Sequence, residues 1–99
     1  MNMTESRPLA TPTERINNDR VRVTEWRFQA GAETGHHIHE FDYIVVPVTT
    51  GKLLMIDKFG VETIAELTAG MPYFRDAGVE HNVINHNSTE FIFIEVELL

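Results

Sequence analysis

From Gly31 onward, turn-forming residues interrupt the sequence at roughly 8–12-residue intervals, the spacing of short strands joined by tight connections. Gly31 and Gly35 bracket one turn. Thr49-Thr50-Gly51-Lys52, Lys58-Phe59-Gly60, Thr68-Ala69-Gly70, Asp76-Ala77-Gly78 and His86-Asn87-Ser88 supply the others. Between them the segments alternate or form short apolar runs, and none keeps the apolar period of a long helix. The expected strands are Leu53–Asp57, Val61–Leu67, Pro72–Arg75, His81–Asn85 and Glu90–Leu98, preceded by one from Arg20 and one from the histidines through Val48. Roughly seven or eight such strands imply an all-β fold, a small antiparallel barrel or jelly roll in a single domain.

Three local features refine this expectation. Val21 and Val23 share one strand phase and Trp26 and Phe28 the other, which predicts a bulge near Thr24 and places Trp26 and Phe28 in the core. Pro47 predicts a strand edge or bulge. In the last strand Ile92, Ile94, Val96 and Leu98 fill one phase while Phe91 and Phe93 begin the other. A strand apolar on both faces must be covered twice, which points to a homodimer, with cover by the chain's own N-terminal segment as the alternative. Residues 1–18 are polar, hold Pro8 and Pro12, and show no sustained periodicity. They are expected to form an arm, flexible or packed on a partner, with at most a short helix at Thr13-Glu14-Arg15-Ile16; residues 19–99 form the barrel.

Charge and composition narrow the function. Eight basic and fifteen acidic residues give a net charge of −7, which repels phosphate backbones and argues against a nucleic-acid partner. The N-terminus lacks the cationic and apolar regions of a secretory signal, and no apolar run approaches the ~20 residues that span a bilayer. A cytoplasmic location without membrane association is expected. There is no cysteine, so a bound metal would have to be held by nitrogen and oxygen.

The chemistry concentrates in Gly35-His36-His37-Ile38-His39-Glu40-Phe41-Asp42-Tyr43. On a strand, His37 and His39 share a face and His36 takes the other. Two imidazoles on one face are half of a metal site or a coincidence, and the rest of the chain decides which. His81 lies far along the chain but is reachable across a barrel. Its surroundings, Gly70, five residues, Asp76-Ala77-Gly78, two residues, His81, three residues and Asn85, pair with Gly31, five residues, His37-Ile38-His39 and Gly51.

These paired stretches resemble the two motifs of the cupin superfamily. The first runs Gly, five residues, His-x-His, three or four residues, Glu, six residues, Gly; the second runs Gly, five residues, Pro-x-Gly, two residues, His, three residues, Asn. The matching positions are Gly31, His37, His39, Gly51, Gly70, Gly78, His81 and Asn85, and the resemblance spans roughly residues 20–98. Two positions depart from it. Asp76 stands for the proline, and the glutamate position falls on Tyr43 or Ile44, neither a carboxylate. More narrowly, Asn18–Val23, Ala65–Gly70 and Gly78–Asn85 are similar to small single-domain bacterial cupins known as β-alanine degradation proteins.

The resemblance implies one divalent transition metal (Fe, Zn, Ni or Cu) on His37, His39 and His81. Three neutral imidazoles leave such a cation its full charge and more open positions than a site with an added glutamate, which favours a small anionic metabolite that chelates it. It implies an enzyme, an oxygenase of the dioxygenase type or an isomerase; a non-catalytic metabolite-binding or sensing protein and a barrel with a structural metal are the alternatives. Tyr43 shares the nominal phase of His37 and His39 and is either a hydrogen-bond donor in the site or a packed core residue. Arg75 could clamp a substrate carboxylate or form a surface salt bridge. Asn85 is expected to pin a turn, His36 to be a surface or interface histidine, and His86 to be solvated.

Overall fold

The structure, a computed structural model, describes residues 6–99. The expected arm's first five residues lie outside the described residues. Nine strands follow: β1 (Thr11–Asn17), β2 (Val21–Phe28), β3 (His37–Ile38), β4 (Asp42–Pro47), β5 (Gly51–Asp57), β6 (Glu62–Leu67), β7 (Tyr73–Arg75), β8 (Glu80–Asn85) and β9 (Phe91–Leu98). They build two antiparallel sheets, one in the order β1-β2-β9-β4-β7 and one in the order β3-β8-β5-β6. The fold is all-β. The core between the sheets is made by alternate residues of each strand: Phe28, Tyr43, Val45, Phe91 and Phe93 from the first sheet, and Leu53, Leu67 and Val83 from the second.

The structure corrects four local expectations. Thr11–Asn17 is neither arm nor helix but an edge strand paired along β2. Both its faces are largely exposed, so nothing in its sequence marks an apolar face. The bulge expected near Thr24 is absent: β2 runs in unbroken register with β9 from Val21↔Leu98 to Phe28↔Phe91. Val21 and Val23 lie on the outer sheet face and Thr24 and Phe28 on the inner one, so the change of apolar phase reflects two partly apolar faces. The irregularity sits instead between Glu14 and Ile16 of β1. Finally, the strand expected to run from the histidines to Val48 is two strands in different sheets, β3 and β4, with the chain crossing at His39-Glu40-Phe41.

The buried end of the barrel is tied by Asn85. Its amide nitrogen donates to the carbonyls of Phe28 (3.2 Å), Gln29 (3.1 Å) and Thr89 (2.8 Å). Its Oδ1 accepts from the backbone (3.0 Å) and side chain (2.7 Å) of Asn87. Asn87 in turn brackets Lys52, accepting its N–H (2.9 Å) and donating to its carbonyl (2.8 Å). This explains Gly51 through space, not backbone freedom: a Cβ there would lie 2.8 Å from Asn87 Oδ1 and 2.9 Å from Nδ2. Gly51→Ala is therefore expected to cost about 1–3 kcal/mol by displacing Asn87. Urea denaturation measures this, and an unchanged midpoint would show that Asn87 moves freely.

Candidate metal centre

His37 and His81 are direct cross-strand partners on β3 and β8, so their side chains leave the same face. His39 follows β3 and stays on the ladder: its N–H donates to the Val79 carbonyl (2.8 Å), and its own carbonyl accepts from Gly78 (2.8 Å). Gly78 makes that turn with φ 100°, a conformation that a side chain would strain. Alternation then buries His39 and leaves Ile38 outside.

The three rings converge. The Nε2 atoms of His37 and His39 are 3.0 Å apart, and those of His39 and His81 are 3.1 Å apart. One ligand nitrogen from each ring lies within 4.8 Å of the others. Nitrogens bound about 2.0–2.1 Å from one cation stand about 2.9–3.4 Å from each other, depending on coordination geometry. Hydrogen bonding alone cannot satisfy the cluster. His37 Nδ1 faces the Gly35 carbonyl at 2.8 Å, so it carries the proton and leaves Nε2 as a lone pair. A single N–H on His39 Nε2 could serve only one of its two close neighbours. A cation between the rings serves all three, so the residues fit a divalent metal.

Burial keeps His39 and His81 neutral. It pulls His81 down to about 3 and His39 to about 4, with the charges of His37 and Arg75 adding to both and that of His39 to His81. The unfolded chain protonates its histidines near 6.5, so below that pH it binds more protons than the folded one and stability falls. Glu95 on β9 works in the opposite sense. Burial, helped by Glu97 and opposed by a Trp26 hydrogen bond and Arg22, pushes its carboxyl from 4.5 up to about 7. Its contribution is complete below 4.5 and lost as the pH rises through 7. Two histidines outweigh one carboxyl on the acid side. The urea midpoint of the metal-free protein is therefore expected to fall as the pH drops from 6.5 to 4.5, and a flat midpoint would contradict the burial of these rings.

A cavity of about 240 Å³ surrounds the cluster, lined also by Trp26, Tyr43, Met55, Tyr73 and Glu95. Tyr43 stacks on His39, with ring centroids 3.8 Å apart and planes 14° apart. Burial raises its phenol well above the ordinary value, so it stays protonated and can donate. Of the two places where a motif glutamate was expected, Tyr43 faces the cavity, while Ile44 faces outward beside Val96 and Phe74. Asp42 accepts the Ala77 N–H (2.8 Å) and holds the turn of the second motif.

Arg75 is exposed and pairs across β7 with Tyr43. It lines a second, more open cavity of about 800 Å³, which shares Met55, Tyr73 and His81 with the first. The surface salt bridge considered for Arg75 does not form among the described residues. His36 points away from the site onto Glu80 (2.7 Å), and His86 is exposed. Sequence reasoning missed Glu95. The signal was its phase: Phe91, Phe93, Glu95 and Glu97 share the inward face of β9, so the acids continue a core row.

A double-stranded β-barrel with three inward histidines defines a cupin, and the chain belongs to the cupin family. It is 54% identical over 92 residues, 93% of this chain and 96% of the relative, to the β-alanine degradation protein BauB of Pseudomonas aeruginosa. The crystal structure of a cupin domain from Bordetella pertussis Tohama I is 53% identical and superimposes with a TM-score of 0.93, covering 97% of this chain and 99% of that one. A Klebsiella pneumoniae protein with a double-stranded β-helix domain, 21% identical, shares the fold with a TM-score of 0.74 over 96% of this chain and 81% of its own. No family model matches the sequence. No helix among the described residues is long and apolar enough to cross a membrane.

Proposed function

We propose that this cupin is a metal-dependent enzyme acting on a small organic acid, with His37, His39 and His81 holding one divalent transition metal. The observation that carries the reading is the convergence of three imidazoles inside a cavity. A structural metal site is closed by protein ligands, whereas this cluster opens onto space beside it. At about 240 Å³ that space is below the range of drug-sized pockets and suits a substrate of a few heavy atoms. The similarity to BauB supports a β-amino, β-keto or aldehyde acid of β-alanine breakdown as the substrate class.

When bound, the metal would supply Lewis acidity or, if it is iron, the means to activate dioxygen. The protein's own groups supply the rest. The Arg75 guanidinium, free of carboxylate partners among the described residues, attracts the substrate carboxylate from the second cavity. Its charge already reaches the cluster, where it helps lower both buried histidines. Glu97 is paired with Arg22 (3.6 Å), which reduces its repulsion of an anion. Tyr43 offers a protonated phenol to a substrate oxygen. Oxygen uptake and substrate loss by iron-loaded protein across a panel of these acids tests the reading. Turnover, with KM raised about tenfold or more and kcat little changed in Arg75→Gln, is the expected result. Acid binding without any turnover would instead make the protein a metabolite-binding cupin.

We also propose a homodimer. The outer face of the five-stranded sheet carries Val21, Val23, Ile44, Val46, Ile92, Ile94 and Val96, with Phe74 and Leu98 exposed at 51% and 38%. The described arm residues extend this sheet at its edge through β1, which leaves a second copy as the proposed cover. Light scattering at micromolar concentration is expected to give twice the 11.3 kDa chain mass, and the single-chain mass would refute the proposal.

A further inference from the structure

Neutral imidazole binds a metal through one nitrogen, and the group that accepts the proton of the other nitrogen decides which one. For His37 that group is the Gly35 carbonyl, 2.8 Å from Nδ1. For His39, Nε2 faces the other rings, so Nδ1 must carry the proton. The polar side chain beside this Nδ1 is Glu95, whose Oε2 lies 3.8 Å away. Tyr43 stacking fixes the plane of the His39 ring but neither its tautomer nor its rotation within that plane.

Glu95 is itself placed by the fold. It sits on β9 between Thr24 of β2 and Val45 of β4, its side chain is only 12% exposed, and it lines the cavity of the histidine cluster beside Trp26. It is not one of the converging ligands: among the described residues only the three histidines bring donor atoms together. A buried carboxylate costs stability unless something uses it, and the side chain within reach is a ligand histidine.

We infer that Glu95 is a positioning residue of the metal centre: its carboxylate receives the Nδ1 proton of His39 and so aims Nε2 at the metal. This rests on the three-histidine reading above. The present 3.8 Å is longer than a hydrogen bond, and contacts of this kind tighten when a site fills. Receiving that proton makes His39 a stronger donor to the metal.

The test is competition titration of metal-free wild-type, Glu95→Ala and Glu95→Gln proteins with zinc against a chelator. It is paired with NMR detection of the His39 Nδ1 proton in 15N-labelled, zinc-loaded samples. Glu95→Ala is expected to bind zinc about 10–100-fold more weakly and to lose the protected Nδ1 proton. Glu95→Gln keeps an acceptor of the same shape without the charge, so it should recover part of the affinity and shift that proton's resonance. Wild-type affinity in Glu95→Ala would overturn the inference. If that variant fails to fold, an unshifted His39 Nδ1 resonance in Glu95→Gln would overturn it instead. Failure of wild-type protein to bind zinc would overturn the metal reading itself, a distinct result.

Discussion

Replacing His81 by alanine is expected to abolish stoichiometric metal binding while the barrel still folds. His81 supplies one of the three nitrogens of the cluster, on the strand paired directly with that of His37. Removing a ligand should weaken binding by more than the roughly 10–100-fold seen when only a ligand's support is lost. The folded apo-protein should tolerate the change because the ring borders a cavity rather than filling packed core, and because burial of this histidine is itself unfavourable below pH 6.5. Thermal melts separate the two effects. Metal at about a hundred times its dissociation constant adds about 2.7 kcal/mol to a protein that binds it only when folded. In a domain of this size that raises Tm by roughly 10–20 °C. The wild type should show the rise and His81→Ala should not, while their metal-free Tm values stay within a few degrees. His36→Ala is the control, since His36 is turned onto Glu80 and the rise should persist. A full metal-induced rise in His81→Ala would mean that the ligand set is wrong.

The second large effect belongs to Asn85→Ala. Asn85 is 2% exposed, and its amide group makes five hydrogen bonds, three given to carbonyls and two received from Asn87. Alanine removes all five, strands the buried Phe28 carbonyl and leaves the part-buried Gln29, Thr89 and Asn87 groups without this partner. Each stranded group costs about 1–3 kcal/mol, reduced where water or a shift of Asn87 can reach it. A net loss of about 3–5 kcal/mol is expected, a Tm lower by roughly 12–40 °C. Because Asn87 is also what excludes a side chain at Gly51, Asn85→Ala and Gly51→Ala should be non-additive in a double-mutant cycle. A loss below 1 kcal/mol would show that Asn85 is no keystone of this end of the barrel.

The sequence was most informative where strand alternation and turn chemistry act together. His37 and His39 flank an exposed Ile38 as alternation requires, and His81 was reachable through its spacing from Gly78 and Asn85. Tyr43 was placed on the correct side by phase, but through a continuous strand that does not exist. The chain changes sheets at Glu40-Phe41, where no glycine or proline marks the break, and tertiary pairing with β8 and β9 decides it. Thr11–Asn17 was invisible as a strand because an edge strand exposed on both faces has no apolar period to detect. Glu95 was hidden for the opposite reason: in a strand apolar on both faces, two inward acids look like solvent-facing ones until the register of β2, β9 and β4 is known.

The central claim is that three histidines from distant parts of the chain form one metal centre. It is tested most directly by elemental analysis of protein purified without a polyhistidine tag, before and after reconstitution of the metal-free form with Fe(II), Zn(II), Ni(II) and Cu(II). About one equivalent of one transition metal per chain is the predicted result, lost in His81→Ala. Less than about a tenth of an equivalent of every metal, as purified and after reconstitution, would contradict it.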